Sequence, residues 1–177
     1  QFGPLCIGSQ SDLQAEFGSK WSEDCLFVNV FAPSKATNTS KLPVYVFIQG
    51  GGFNMNGNAN YNGADLIDAA RGDMVIVNFN YRVGPYGFLA SREVKANQTL
   101  SLNNGLKDQR LLLKWVQKYI HEFGGDADHV TLGGASAGGG SVVLQLTAFG
   151  GRNDNLFHAV AAESAAFPPL RNVERSQ

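Results

Sequence analysis

The 177-residue sequence predicts an α/β domain in which a mostly parallel sheet carries flanking helices. Three observations carry that prediction. Apolar runs occur at 44–48, 74–79 and 130–132, as strands buried in a parallel sheet require. Segments with helical spacing fall between and after them, at 64–71, 105–123 and 137–149. Gly-rich turns separate the two kinds of segment. A composition of 44% apolar and 16% charged residues suits one domain with a buried core, read here over residues 1–177.

Each element has its own signal. Cys25 to Pro33 is rich in β-branched and aromatic residues, and Pro33 closes the run. Ser34 to Lys41 is a polar connection. Val44-Tyr45-Val46-Phe47-Ile48 reads as a strand covered on both faces. Phe53 to Gly63, with Asn at 54, 56, 58, 60 and 62, reads as an irregular surface loop. Ala64 to Arg71 is a short helix, with Asp65 early and Gly72 beyond its end. Met74 to Phe79 is a strand. Gly84-Pro85 breaks the chain, and the segment from there to Asn104 is loop-like. Gly105 to Phe123 is the clearest helix, with Leu112, Trp115, Val116, Tyr119, Ile120 and Phe123 on one stripe. Val130 to Leu132, Ala137 to Phe149 and Ala159 to Ala162 follow as strand, helix and strand. Pro168 to Gln177 reads as a loop or a helix entry.

Several function classes are poorly supported. Net charge is −1, so nucleic-acid binding has no electrostatic footing. No apolar run approaches the roughly 20 residues of a membrane span. His121, His129 and His158 are scattered and no Cys-x-x-Cys occurs, so no metal site is expected. The chain opens Gln1-Phe2-Gly3-Pro4, without an initiator Met or a signal peptide, and reads as a processed or excised piece. Cys6 and Cys25 fit either a disulfide, contributing about 3 kcal/mol, or two buried thiols. Asn38-Thr39-Ser40 and Asn97-Gln98-Thr99 are glycosylation sequons. With the cysteines they point to secretion.

The chemistry concentrates at Gly134-Ala135-Ser136-Ala137-Gly138. This is the spacing of a nucleophile elbow, a sharp strand-to-helix turn that lifts one hydroxyl clear of the sheet. Side chains two residues either side of the serine would collide, hence the glycines. Gly50-Gly51-Gly52 follows a buried strand. There, backbone N–H groups can converge on a carbonyl oxygen as it gains negative charge. Ala137, directly after the serine, offers another N–H. A phosphate loop is excluded because no Lys-Ser or Lys-Thr follows the glycines.

Three stretches carry a family resemblance: Glu23 to Pro33; Gly50-Gly51-Gly52-Phe53; and Phe123-Gly124-Gly125-Asp126 through Gly138. Asn80 to Gly84 and Asp108-Gln109-Arg110 add to it. The chain resembles the type-B carboxylesterase/lipase family, the cholinesterase-like α/β-hydrolases, and among them the fungal secreted members. The match runs from Phe2 to about Ser164. The resemblance implies the N-terminal part of an α/β-hydrolase fold. It implies Ser136 as nucleophile and Gly51, Gly52 and Ala137 as oxyanion donors. It sets Phe53 and Ala135 at the substrate, pairs Cys6 with Cys25, joins Glu23 to Arg82 in a buried ion pair, and makes Trp115 a core aromatic. Two departures stand out. Ala135 replaces a Glu found in many relatives, which counts against a cation site. Glu163-Ser164-Ala165 stands where many relatives read Gln-Ser-Gly.

The general base is missing. In such hydrolases the order is Ser, acid, His, and His158, preceded by Asp154, is the sole histidine after Ser136. The expected base lies beyond residue 177. The expected function is therefore a secreted serine hydrolase of small-molecule or lipid esters that needs no cofactor. This stretch would supply the nucleophile and oxyanion hole, and the C-terminal remainder of the same protein the rest. The alternative is an adhesion or scaffold module that keeps the fold without catalysis. Such a module has no need of an intact nucleophile and oxyanion segment.

Overall fold

The computed structural model describes residues 2–9, 21–56, 61–167 and 172–173. Among these described residues, seven strands and five helices follow in order. They are β1 (Leu5–Cys6), β2 (Trp21–Ser22), β3 (Val28–Phe31), β4 (Leu42–Ile48), α1 (Ala64–Ala69), β5 (Val75–Phe79), α2 (Gly84–Phe88), α3 (Arg92–Ala96), α4 (Asn104–Tyr119), β6 (Gly125–Ala135), α5 (Ala137–Gly151) and β7 (Ala159–Glu163). A 3-10 turn, Ile120–Phe123, extends α4.

The main sheet has five strands in the order β3-β5-β4-β6-β7. Only β3 runs antiparallel to its neighbour. The expected mostly parallel sheet is therefore present. The chain leaves β4 for β5 on one side, and β6 lies on the other. Connections thus diverge beyond the carboxyl ends of β4 and β6, the place where open α/β sheets build their clefts.

Val44, Val46 and Ile48 alternate along β4 onto one face, level with Val75 and Val77 of β5 and Val130 and Leu132 of β6. Leu112, Leu113 and Val116 of α4, Ile120 just beyond it and Val142 of α5 join these residues in one core cluster. The other face differs from expectation. Tyr45 and Phe47 are only half-buried, and they border a cavity of about 430 Å³. An apolar run therefore marked a strand here without both faces being covered among the described residues.

Helix boundaries follow local chemistry. Pro85 opens α2 rather than breaking the chain, because its fixed φ suits the first helical turn. Ser91 Oγ accepts the Val94 N–H and caps α3 within the segment read as loop. The α4 stripe is wider than the buried face: Tyr119 and Phe123 are about two-fifths exposed, at 39% and 40%. They pack instead on half-buried Trp115, with ring centroids 5.6 and 6.1 Å away. The backbone of α5 leaves helical values at Ala148, Phe149 and Gly150.

Cys6 and Cys25 form a disulfide, as the resemblance implied. The ion pair is a correction. Arg82 pairs with Asp108 of α4, not with Glu23: its Nε and Nη2 each donate over 2.8 Å, and its backbone N–H over 3.1 Å. Asp108 is buried and meets the guanidinium fork two-on-two, whereas Glu23 is exposed. The same hydrogen bonds raise the Arg82 pKa above its ordinary value. Of the stretch from Pro168 to Gln177, all but 172–173 lies outside the described residues.

Candidate active site

β6 ends at Ala135 and α5 begins at Ala137, so the chain turns on Ser136 alone. Ser136 has φ 57° and ψ −122°, a conformation that costs a non-glycine residue of order 1–3 kcal/mol. Its neighbours hold it there. The Ser136 N–H donates to the Glu163 carbonyl at 3.0 Å, and its own carbonyl accepts from Gly140 and Ala166, both at 2.9 Å. The flanking glycines are steric necessities. A Cβ on Gly134 would lie 2.6 Å from the Gly138 backbone, and one on Gly138 would strike the Ile48 carbonyl oxygen. The turn leaves Ser136 exposed, and its hydroxyl has no hydrogen-bond partner among the described residues.

The loop after β4 arrives at the same point. Parallel register sets Ile48 beside Gly134, which brings Gly50 level with Ser136. A Cβ on Gly50 would stand 3.2 Å from the Ser136 Cβ. The chain then turns through Gly51 at φ 108° and Gly52 at φ 62°. The Gly51 carbonyl accepts from Asn54 and Met55. The N–H groups of Gly51 and Gly52 donate to nothing among the described residues. The Ala137 N–H is the first of α5, where helix geometry provides no acceptor. Three N–H groups with open valence thus lie in the two segments that meet at the serine hydroxyl. The helix dipole adds a fixed positive end there.

Buried side chains brace the loop from behind. Gln49 Nε2 donates to Asn56 Oδ1, and Asn56 Nδ2 donates to the Cys6 carbonyl at 2.9 Å. Tyr81, fully buried, donates to the Gln49 carbonyl at 3.1 Å, and burial pushes its phenol above the ordinary value. The alternating Asn residues thus include a buried brace at Asn56. Alternation alone does not separate a buried Asn from an exposed one. Phe53 is also part of the packing: its ring is buried, edge-on to Phe88 at 5.2 Å. Ala135 borders the cavity of the half-covered sheet face together with Tyr45, Phe47 and Glu163. Its Cα partner across the sheet is Glu163. A carboxylate therefore stands beside position 135 although Ala135 itself has none.

No histidine joins the serine. His158 precedes β7 and lies beside Val130, six residues and about 20 Å of strand from Ser136. Its Nδ1 is 2.8 Å from the Val130 carbonyl, so Nδ1 carries a proton, and its ring meets His129 edge-on at 4.6 Å. Asp154 accepts from both Arg110 and Arg152. Chiefly through its bond to Arg152, its pKa falls from 3.8 to about 2. Among the described residues, no group of three His, Cys, Asp or Glu is placed to hold a metal.

This geometry agrees with comparisons to known proteins. A family model described as the carboxylesterase family matches residues 1–174. The chain belongs to the carboxylesterase family. A solved structure of Aspergillus niger EstA superposes with a TM-score of 0.85 at 52% identity, covering 92% of this chain and 30% of that one. The para-nitrobenzyl esterase of Bacillus subtilis is 45% identical over 93% of the chain and 33% of its own length. Lipase 1 of Geotrichum candidum is 43% identical over 81% and 26%. The chain thus spans about a third of the length of these relatives. Further relatives include proteins named secreted lipases. No helix among the described residues is long and apolar enough to cross a membrane.

Proposed function

We propose that this carboxylesterase segment supplies the nucleophile and oxyanion hole of a secreted serine hydrolase of carboxylic esters. The observation that carries the reading is Ser136: strained and exposed, and, among the described residues, without a hydroxyl partner and beside three open N–H groups. Ser136 Oγ attacks the ester carbonyl while its proton passes to a base. The carbonyl oxygen, now negative, accepts from the N–H groups of Gly51, Gly52 and Ala137. The intermediate collapses, the alcohol leaves with the proton, and water then releases the acid from the acyl-enzyme. Base and acid come from chain beyond residue 177, because His158 and Asp154 are occupied elsewhere. Ala135 forms part of the substrate wall. Phe53 acts through its buried ring, holding the oxyanion loop rather than touching substrate.

The disulfide and the exposed sequon residues Asn38 and Asn97 favour secretion with glycans at both sites. The test is a fluorophosphonate probe on the full-length polypeptide. Labelling that Ser136→Ala abolishes is the expected result. A folded protein that resists the probe overturns the reading and favours a non-catalytic scaffold. The 177-residue chain alone is expected to show no Ser136-dependent turnover.

A further inference from the structure

The first turn of α5 must aim the Ala137 N–H, yet it is built of poor material. Ala137 is followed by Gly138, Gly139 and Gly140, and glycine is the weakest helix former after proline. Better helix formers do not fit. A Cβ on Gly139 would lie 2.7 Å from the Glu163 carbonyl oxygen, and one on Gly140 would strike that of Ala166. The glycines have no side chains with which to fasten the turn. The first polar side chain after them is Ser141, and it is fully buried.

Ser141 Oγ receives a hydrogen bond from Gln109 Nε2 of α4 at 3.0 Å, and Gln109 is itself fully buried. The other end of the same amide, Gln109 Oε1, accepts from Gln145 Nε2 at 3.2 Å. Gln145, also buried, donates to the Leu106 carbonyl at 2.9 Å. Ser141 and Gln145 stand four residues apart on one face of α5. One glutamine therefore grips two successive turns of the helix directly behind the glycine run. Buried amide bonds of this kind tolerate little change in geometry, since a displaced partner stays unsatisfied.

We propose that Gln109 is a positioning residue for ester hydrolysis: by clamping Ser141 and Gln145 of α5 to α4, it holds the Ala137 N–H on the reacting carbonyl oxygen. The role rests on the hydrolytic reading of Ser136. Gln109 touches no substrate and acts only through α5.

The test uses the full-length polypeptide, with active sites counted by fluorophosphonate so that every rate refers to folded protein. Ser141→Ala is the first variant. It removes the clamp's hydroxyl while raising helix propensity, so the helix itself does not weaken. Gln109→Leu is the second. In each, kcat per titrated site falls about tenfold, less than the 100- to 1000-fold typical of losing a whole oxyanion donor. KM stays within twofold. Affinity for a trifluoromethyl ketone, whose adduct places an oxyanion on the same N–H groups, falls in parallel with kcat. A merely structural clamp lowers the melting temperature and leaves kcat per titrated site unchanged, and that result overturns the proposal. Absent labelling in the unsubstituted protein is a separate failure: it removes the hydrolytic reading, and this role with it.

Discussion

The two ends of the parallel strands of this carboxylesterase-family chain are built on opposite rules. At the carboxyl ends of β4 and β6, small residues pack backbone on backbone, Ser136 is strained, and three N–H groups and a hydroxyl have no partner among the described residues. At the amino end of β7, polar groups are satisfied. Arg110 and Arg152 share Asp154, both guanidinium groups lie over the Phe149 ring at 5.0 and 4.7 Å, and His158 is bonded to a backbone carbonyl. The difference shows where chemistry can happen. Charge and imidazole are plentiful at the end that has no use for them. The end with open valence has no imidazole among the described residues, and the carboxylate beside it is that of Glu163. Open hydrogen-bonding capacity, not the presence of titratable side chains, marks the site.

Substitutions can break or sharpen this contrast. The largest effect is expected from Gly138→Ala, whose Cβ would strike the Ile48 carbonyl. It should remove Ser136 labelling and lower stability by about 3 kcal/mol in urea denaturation. Replacing Cys6 and Cys25 together with Ser should cost a similar amount, about 3 kcal/mol, by the same measurement. Asp108→Ala strands the Arg82 guanidinium. Because that guanidinium is 36% exposed, the cost should be about 2 kcal/mol, below the range for a fully buried pair. Glu23→Ala should stay within about 0.5 kcal/mol, and an equal loss for both would restore the Glu23 pairing.

The smallest effects belong to the saturated end. The Asp154 pKa is depressed in the folded chain, so its contribution to stability is present above the ordinary 3.8 and is lost as pH falls towards about 2. Asp154→Asn should flatten the pH dependence of stability in that window and leave labelling at neutral pH unchanged. His158→Gln should leave labelling unchanged as well. A strong loss there would place a working base at the wrong end of the strands and collapse the contrast.

Sequence legibility follows the same division. The elbow and the Gly50–Gly52 loop are readable because their requirements are local: a glycine at a fixed offset reports a backbone contact whatever the rest of the chain does. The long helix is readable by periodicity, and the strand from Ala159 as a short apolar run. The partner of Arg82 is not, because Asp108 lies 26 residues away and only folding shows which acid reaches it. Pro85 was ambiguous, since the same fixed φ suits a turn and the first turn of a helix. Phe53 follows the Gly50–Gly52 run, yet a positive φ of 62° accompanies a ring directed into the core. Asn56 carried no distinguishing local signal among its neighbouring asparagines. The Gln109 clamp was equally silent, since glutamine on a helix is ordinarily a surface residue.

The hydrogen bonds to Ser136 also impose an order of assembly. Its N–H is held by Glu163 and its carbonyl by Ala166, residues that the ribosome adds some thirty positions later. A nascent chain that ended with α5 would contain both glycine stretches, the serine and the Gln109 contacts, and would still lack these two hydrogen bonds to the Ser136 backbone. The geometry of the elbow at Ser136 is thus completed late, when β7 docks against β6.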